Sequence, residues 1–132
     1  MSDASGTGIT RMSIAIVDDE SAVRVSLRRL CNALGFEATT YASGLALLDA
    51  IDQPDWQAHC ILLDFHMAEM NGLEVQRHLH NRHVRVPTIF VTADDAPEAR
   101  ARCLAAGASA FLRKPIGADE LLAALDHAVH RA

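Results

Sequence analysis

Apolar residues recur along this chain in two alternating rhythms, one suited to buried strands and the other to amphipathic helices. Ser13 to Val17 is a short apolar run that reads as a buried strand. Ser21 to Leu34 then sets Val23, Leu27, Leu30 and Leu34 on one helical stripe before a stop at Gly35. Glu37 to Tyr41 is a second strand, after which Ser43 caps a short helix reaching about Ile51. His59 to Leu63 is a third strand, followed by a loop and a helix over Leu73 to Asn81. Pro87 leads into a fourth strand, Thr88 to Thr92. Asp95-Ala96-Pro97-Glu98 has the spacing of a capping box with Pro in the first turn, and that helix should end near Ala106 with Gly107 as its cap. Ser109 to Leu112 is a fifth strand, and Leu121, Leu122, Leu125 and Val129 give a last helix its apolar face.

Five strands and five helices in strict alternation, joined by short connections, predict an α/β fold. The sheet should be parallel, five-stranded, covered by helices on both faces and wound by right-handed crossovers. The length of 132 residues fits one such domain, a size that buries roughly two thirds of the surface its unfolded chain exposes. Residues 1–10, rich in Ser, Gly and Thr, read as a flexible N-terminal tail, which leaves 11–132 as the domain.

Composition narrows the classes of function. Half of the residues are hydrophobic and 22% are charged, the balance of an ordinary globular protein. A formal charge of -5 without a basic stripe argues against direct nucleic-acid binding, which depends on clustered Lys and Arg. The longest apolar run, Leu121 to Leu125, falls far short of the roughly 20 residues that span a bilayer. The first ten residues lack the pattern of a secretion signal, so a cytoplasmic location away from membranes is expected. Cys31, Cys60 and Cys103 are odd in number, widely spaced and set among apolar residues, as buried reduced thiols would be.

In an open parallel sheet, chemistry collects beyond the carboxyl ends of the strands, where the strand order reverses. The first strand delivers Asp18-Asp19-Glu20 there, the third Asp64, the fourth Thr92 and the fifth Lys114-Pro115. Two carboxylates about 4 Å apart repel by about 4 kcal/mol at an effective dielectric near 20, so such a cluster requires a proton or a cation. Oxygen-only ligation with room for waters suits magnesium, with manganese as a substitute. The ion would also neutralise an incoming phosphate, while Lys114 supplies positive charge and Thr92 a hydroxyl donor. These are the components of aspartyl phosphorylation. Singly, each piece has a plainer use: Asp-Asp as a helix cap, Thr as a strand end, Lys-Pro as a turn. Their joint placement carries the inference.

The stretches Ile16-Val17-Asp18-Asp19-Glu20, Leu62-Leu63-Asp64-Phe65-His66-Met67, Met70-Asn71-Gly72-Leu73-Glu74, Val91-Thr92-Ala93 and Ala110-Phe111-Leu112-Arg113-Lys114-Pro115 resemble the response-regulator receiver domain of two-component signalling, over Arg11 to Ala132. The resemblance is closest to the FixJ-like branch and implies the flavodoxin-like, doubly wound (βα)5 fold. It makes Asp64 the phosphoacceptor, with Asp19 and Asp64 as magnesium ligands, Asp18 holding the ion largely through water, and the backbone carbonyl of His66 completing the set. It further implies that Thr92 and Lys114 contact the phosphoryl group, that Phe111 is an aromatic switch, and that the side chains of His66 and Asp94 tune phosphate lifetime. The donor would be a histidine kinase or phosphotransfer protein. The output would be dimerisation or binding of a downstream protein through the fourth helix, fifth strand and fifth helix. The chain is then a switch that assists its own phosphorylation rather than a dedicated enzyme.

Where the family usually has Pro, this chain has Ala68, which predicts a looser loop after Asp64. Three rivals compete. A haloacid-dehalogenase-like phosphohydrolase would need an acid two residues after the nucleophile, where His66 stands. A flavodoxin-like cofactor module would present Gly, Ser and Thr amides after the first strand, not three acids. A degenerate docking-only receiver would have lost some of the site, yet each acidic and phosphate-contacting position is filled. His78, His80 and His83, with His80 and His83 on one helical face, read as a solvated surface, as do His127 and His130.

Overall fold

The sheet order is β2-β1-β3-β4-β5, with all pairs parallel, in a computed structural model whose described residues are 11–93 and 97–131. The strands are β1 (Ser13–Val17), β2 (Glu37–Tyr41), β3 (Cys60–Asp64), β4 (Thr88–Thr92) and β5 (Ala110–Arg113). The helices are α1 (Ser21–Ala33), α2 (Gly44–Ile51), α3 (Gly72–Asn81), α4 (Pro97–Ala105) and α5 (Ala118–Arg131). β3 and β5 each start and end one residue later than the apolar runs suggest, because the ladder register decides the ends. Ile14 faces Cys60, and Ile89 faces Ala110. Asp64 is thereby the last residue of β3 itself.

Two apolar layers sandwich the sheet, and the period of two along each strand sorts side chains between them. Ile14, Ile16, Leu62, Ile89 and Val91 pack with Leu27 and Cys31 of α1 and Leu121 and Leu125 of α5. Ala15, Val17, Ile61, Leu63 and Phe90 pack with Leu47 of α2, Val75 and Leu79 of α3, and Cys103 of α4. Each fully buried Leu, Ile or Phe contributes about 1.5–3 kcal/mol. β3 and β4, buried along their whole length, hold their end residues rigidly.

Local signals set the helix ends. Ser43 accepts the Ala46 N–H at 3.0 Å, a side-chain cap for α2. Gly35 (φ +94°) and Gly107 (φ +99°) follow α1 and α4 in the left-handed region that glycine enters without penalty. Two expectations are corrected. Leu122 is 43% exposed; Ala124 and Ala128 take the inner face of α5 beside Leu121 and Leu125. His83 lies beyond α3 with φ 58°, so it shares no helical face with His80. The capping box at Asp95 includes Asp95 and Ala96, which lie outside the described residues, as do residues 1–10.

Cys31, Cys60 and Cys103 are free and buried, and burial pushes their thiols up to about 11, 12 and 11. Such thiols are poor nucleophiles. Among the described residues, no helix is long and apolar enough to cross a membrane.

Candidate functional site

β1 and β3 are neighbours, and the chain leaves β1 toward β2 on one side before returning to β3 on the other, so the strand order reverses between them. Asp18, Asp19 and Asp64 meet beyond that crevice, each offering an oxygen, with these atoms all within 4.8 Å of one another. Among the described residues this is the group of three or more His, Cys, Asp or Glu side chains placed to share an ion. Asp18 is 1% and Asp64 5% exposed, whereas Asp19 faces solvent.

Asp18 serves both a turn and the charge cluster, although neither Asp18 nor Asp19 caps α1, whose cap residue is Glu20 with no side-chain cap bond. One oxygen, Oδ1, accepts the Glu20 N–H at 2.9 Å and shapes the turn into α1. The other, Oδ2, accepts from Lys114 Nζ at 2.7 Å. The Arg24 guanidinium donates to the Asp18 carbonyl at 2.8 Å, fixing the backbone as well. Asp19 Oδ2 accepts the Ala68 N–H at 3.1 Å. This donor could not exist in a proline, so the loop expected to be slack gains a tie to the site.

Lys114 reaches both buried carboxylates, with Nζ 2.7 Å from Asp18 and 3.5 Å from Asp64. Burial works to lower its ammonium, but the bond to Asp18 and the charges of Asp64 and Asp18 outweigh burial and hold it above the usual value. The Asp64 carboxyl is pushed from 3.8 up to about 6, first by burial and then by Asp18. Lys114 and the His66 backbone work against that displacement. Three carboxylates gather around one ammonium, and a divalent cation fits that charge balance and the all-oxygen donor set.

Thr92 closes β4 at 1% exposure, and its carbonyl accepts the Lys114 N–H at 2.8 Å, which locks the ends of β4 and β5 together. Lys114-Pro115 is cis. Phe111 is 9% exposed and packs in the layer with Phe90 and Cys103. His66 has an exposed side chain whose ring meets that of Phe65 edge-on at 4.7 Å. Of the sequence positions named for the site, Asp18, Asp19, Asp64 and Lys114 come together, Thr92 ends the neighbouring strand, Phe111 lies in the apolar layer, and Asp94 lies outside the described residues.

Two supports went unread in the sequence. Asn71 accepts the Glu74 N–H at 2.9 Å while Glu74 accepts the Asn71 N–H at 3.0 Å, a reciprocal cap on α3. The Asn-x-x-Glu spacing was the available signal. Gly72 sits so close to Asp64 that an added Cβ would lie 2.5 Å from the Asp64 carbonyl oxygen and 2.7 Å from Phe90 Cε2.

Comparison with known proteins agrees with this arrangement. Response regulator MprA of Mycobacterium avium (strain 104) is 40% identical over 114 residues, covering 85% of this chain and 48% of that protein. Response regulator protein TodT of Pseudomonas putida F1 is 32% identical over 131 residues, covering 96% of this chain and 57% of that protein. The chain thus spans about half the length of these curated relatives. Among solved structures, FixJ-N superposes with a TM-score of 0.83 at 28% identity, covering 94% of this chain and 98% of that one. A CheY-like receiver domain protein from Methanospirillum hungatei JF-1 gives 0.82 at 25% identity, covering 92% and 96%. The response regulator receiver domain family matches residues 14–126, and with the five-stranded parallel sheet and its terminal acids this chain belongs to that family.

Proposed function

We propose that the chain is the phosphoacceptor receiver of a two-component phosphorelay and that Asp64 accepts the phosphoryl group. The observation that carries this reading is the convergence of Asp18, Asp19 and Asp64 within 4.8 Å beside the Lys114 ammonium. A magnesium ion held by Asp19 and Asp64, by Asp18 through water and by the His66 carbonyl would neutralise charge as a phosphate arrives; manganese would substitute.

The rest is done by the chain's own groups. An Asp64 oxygen attacks phosphorus, a P–O bond forms as the P–N bond to the donor's histidine breaks, and the imidazole regains a proton from water. Lys114 already sits 3.5 Å from Asp64 Oδ1 and can move from Asp18 onto the phosphoryl oxygens. The Thr92 hydroxyl donates a further bond, and Phe111, buried on β5 in the layer with Cys103 of α4, follows the threonine. Phosphorylation adds charge and strong acceptors at this end of the sheet, and a two-state equilibrium shifts the α4–β5–α5 surface. Exposed Leu104 on α4 and Leu122 on α5 give that surface apolar contacts for a second copy or a downstream protein. His66 and Asp94 would set the lifetime of the phosphate by controlling attacking water.

Incubation with acetyl phosphate and magnesium, read by intact mass, tests the assignment. The wild type should gain one phosphoryl group, and Asp64→Asn should gain none. A wild type that stays unmodified would leave the chain as a docking-only receiver.

A further inference from the structure

We propose that the backbone N–H of Ala68 is a positioning donor that orients the Asp19 carboxylate for cation binding and couples the β3–α3 loop to ion occupancy. This rests on reading the acidic cluster as a magnesium site. The bond spans 49 positions of sequence and measures 3.1 Å to Oδ2. The other two acids have further restraints: Asp18 is held by Glu20 and Lys114, while Asp64 is buried at a strand end beside Lys114. Asp19 is exposed, and among the described residues Ala68 supplies the hydrogen bond that its carboxylate makes.

A solvent-facing carboxylate explores several rotamers, and a ligand that must first be oriented binds its ion more weakly. One N–H on Oδ2 narrows that search while leaving Oδ1 unclaimed. Partners of this kind, which touch the ligand rather than the metal, commonly change affinity by about 10- to 100-fold. The open setting of Asp19 puts the expected effect near the lower end. Proline at position 68 would delete the donor altogether, so Ala and Pro here differ in chemistry as well as in stiffness. Coupling is reciprocal: if the N–H aids the ion, the ion must strengthen the N–H bond and quieten the loop.

Magnesium binding without any phosphodonor decides the matter, measured by calorimetry and by amide NMR on wild type, Ala68→Pro and Ala68→Gly. Wild type and Ala68→Gly, which keeps the N–H, should agree within about threefold, and Ala68→Pro should bind about 10-fold more weakly. Hydrogen exchange at the wild-type Ala68 amide should slow when magnesium is added. Equal affinity in all three proteins overturns the role of the N–H, as does equal weakening in Ala68→Gly and Ala68→Pro, which would assign the effect to loop shape. An Ala68 amide indifferent to magnesium in the wild type overturns it as well, whatever the stability of the variants. A wild type that binds no magnesium removes the underlying site, an outcome separate from these.

Discussion

Replacing Asp64 by Asn should stabilise the folded chain at neutral pH in the absence of divalent cations. The Asp64 carboxyl is displaced upward from 3.8 to about 6, burial contributing most and the charge of Asp18 next. Between those values the folded form keeps a proton that the unfolded chain has released. The free energy of unfolding therefore falls as pH rises through this window. The contribution is fully present below 3.8 and lost above about 6. At about 1.4 kcal/mol per pH unit, ionising Asp64 in the fold costs on the order of 3 kcal/mol, with the pull of Lys114 already included. Asn is isosteric with the protonated acid and uncharged, so it removes that net cost. A net gain of about 1–3 kcal/mol at pH 7.5 is expected. Urea unfolding with chelator present, run from pH 7.5 down to pH 4.5, would measure it. The gain should be largest at the alkaline end and shrink steadily on acidification. Saturating magnesium should also narrow it by giving the wild type a counter-charge. An Asn variant no more stable than wild type at pH 7.5, or a gain indifferent to pH, would refute the account of strain at the site.

Three further outcomes follow from the same geometry. Lys114→Met strips the charge partner from Asp18, whose side chain is 2% exposed, and should cost about 2–4 kcal/mol in urea unfolding at pH 7.5. The double variant with Asp64→Asn should recover part of the loss, and strict additivity would show the two groups uncoupled. Gly72→Ala drives a Cβ against the Asp64 carbonyl and Phe90. It should cost about 1–3 kcal/mol and slow the proposed phosphorylation by displacing Asp64, so a wild-type thermal midpoint and rate would contradict the contact. Asn71→Ala removes the reciprocal cap of α3 and should cost about 1 kcal/mol, visible as faster amide exchange at Glu74.

Most of the fold was legible because the sequence writes its strands and helices in different periods, and because Gly35 and Gly107 mark two of the helix ends. The site was legible for a related reason: parallel neighbouring strands deliver their terminal residues to one edge, which brings Asp18, Asp64 and Lys114 together and sets Thr92 at the end of the adjacent strand. Burial within α5 was less legible. A helix wedged against a sheet turns its small residues inward as readily as its large ones, and Ala124 and Ala128 displaced Leu122. The one-residue offset of β3 came from ladder register, which depends on partners 46 positions away in β1. The tie from Ala68 was invisible for a different reason. Its donor is backbone, and side-chain chemistry says nothing about where a loop aims an N–H.

Asp18 divides its two oxygens between a turn and an ammonium, and this gives the three acids unequal fates under drift. If phosphate chemistry ceased to matter, selection for stability alone would favour loss of Asp64, whose charge strains the fold. It would be indifferent to Asp19 at the rim. Asp18 would outlast both, because discarding it both loosens the turn before α1 and strands Lys114. A library randomised at these three positions and selected only for resistance to unfolding should therefore keep acid or amide at 18 while 64 turns neutral. The survivors would preserve the silhouette of the site after its purpose had gone.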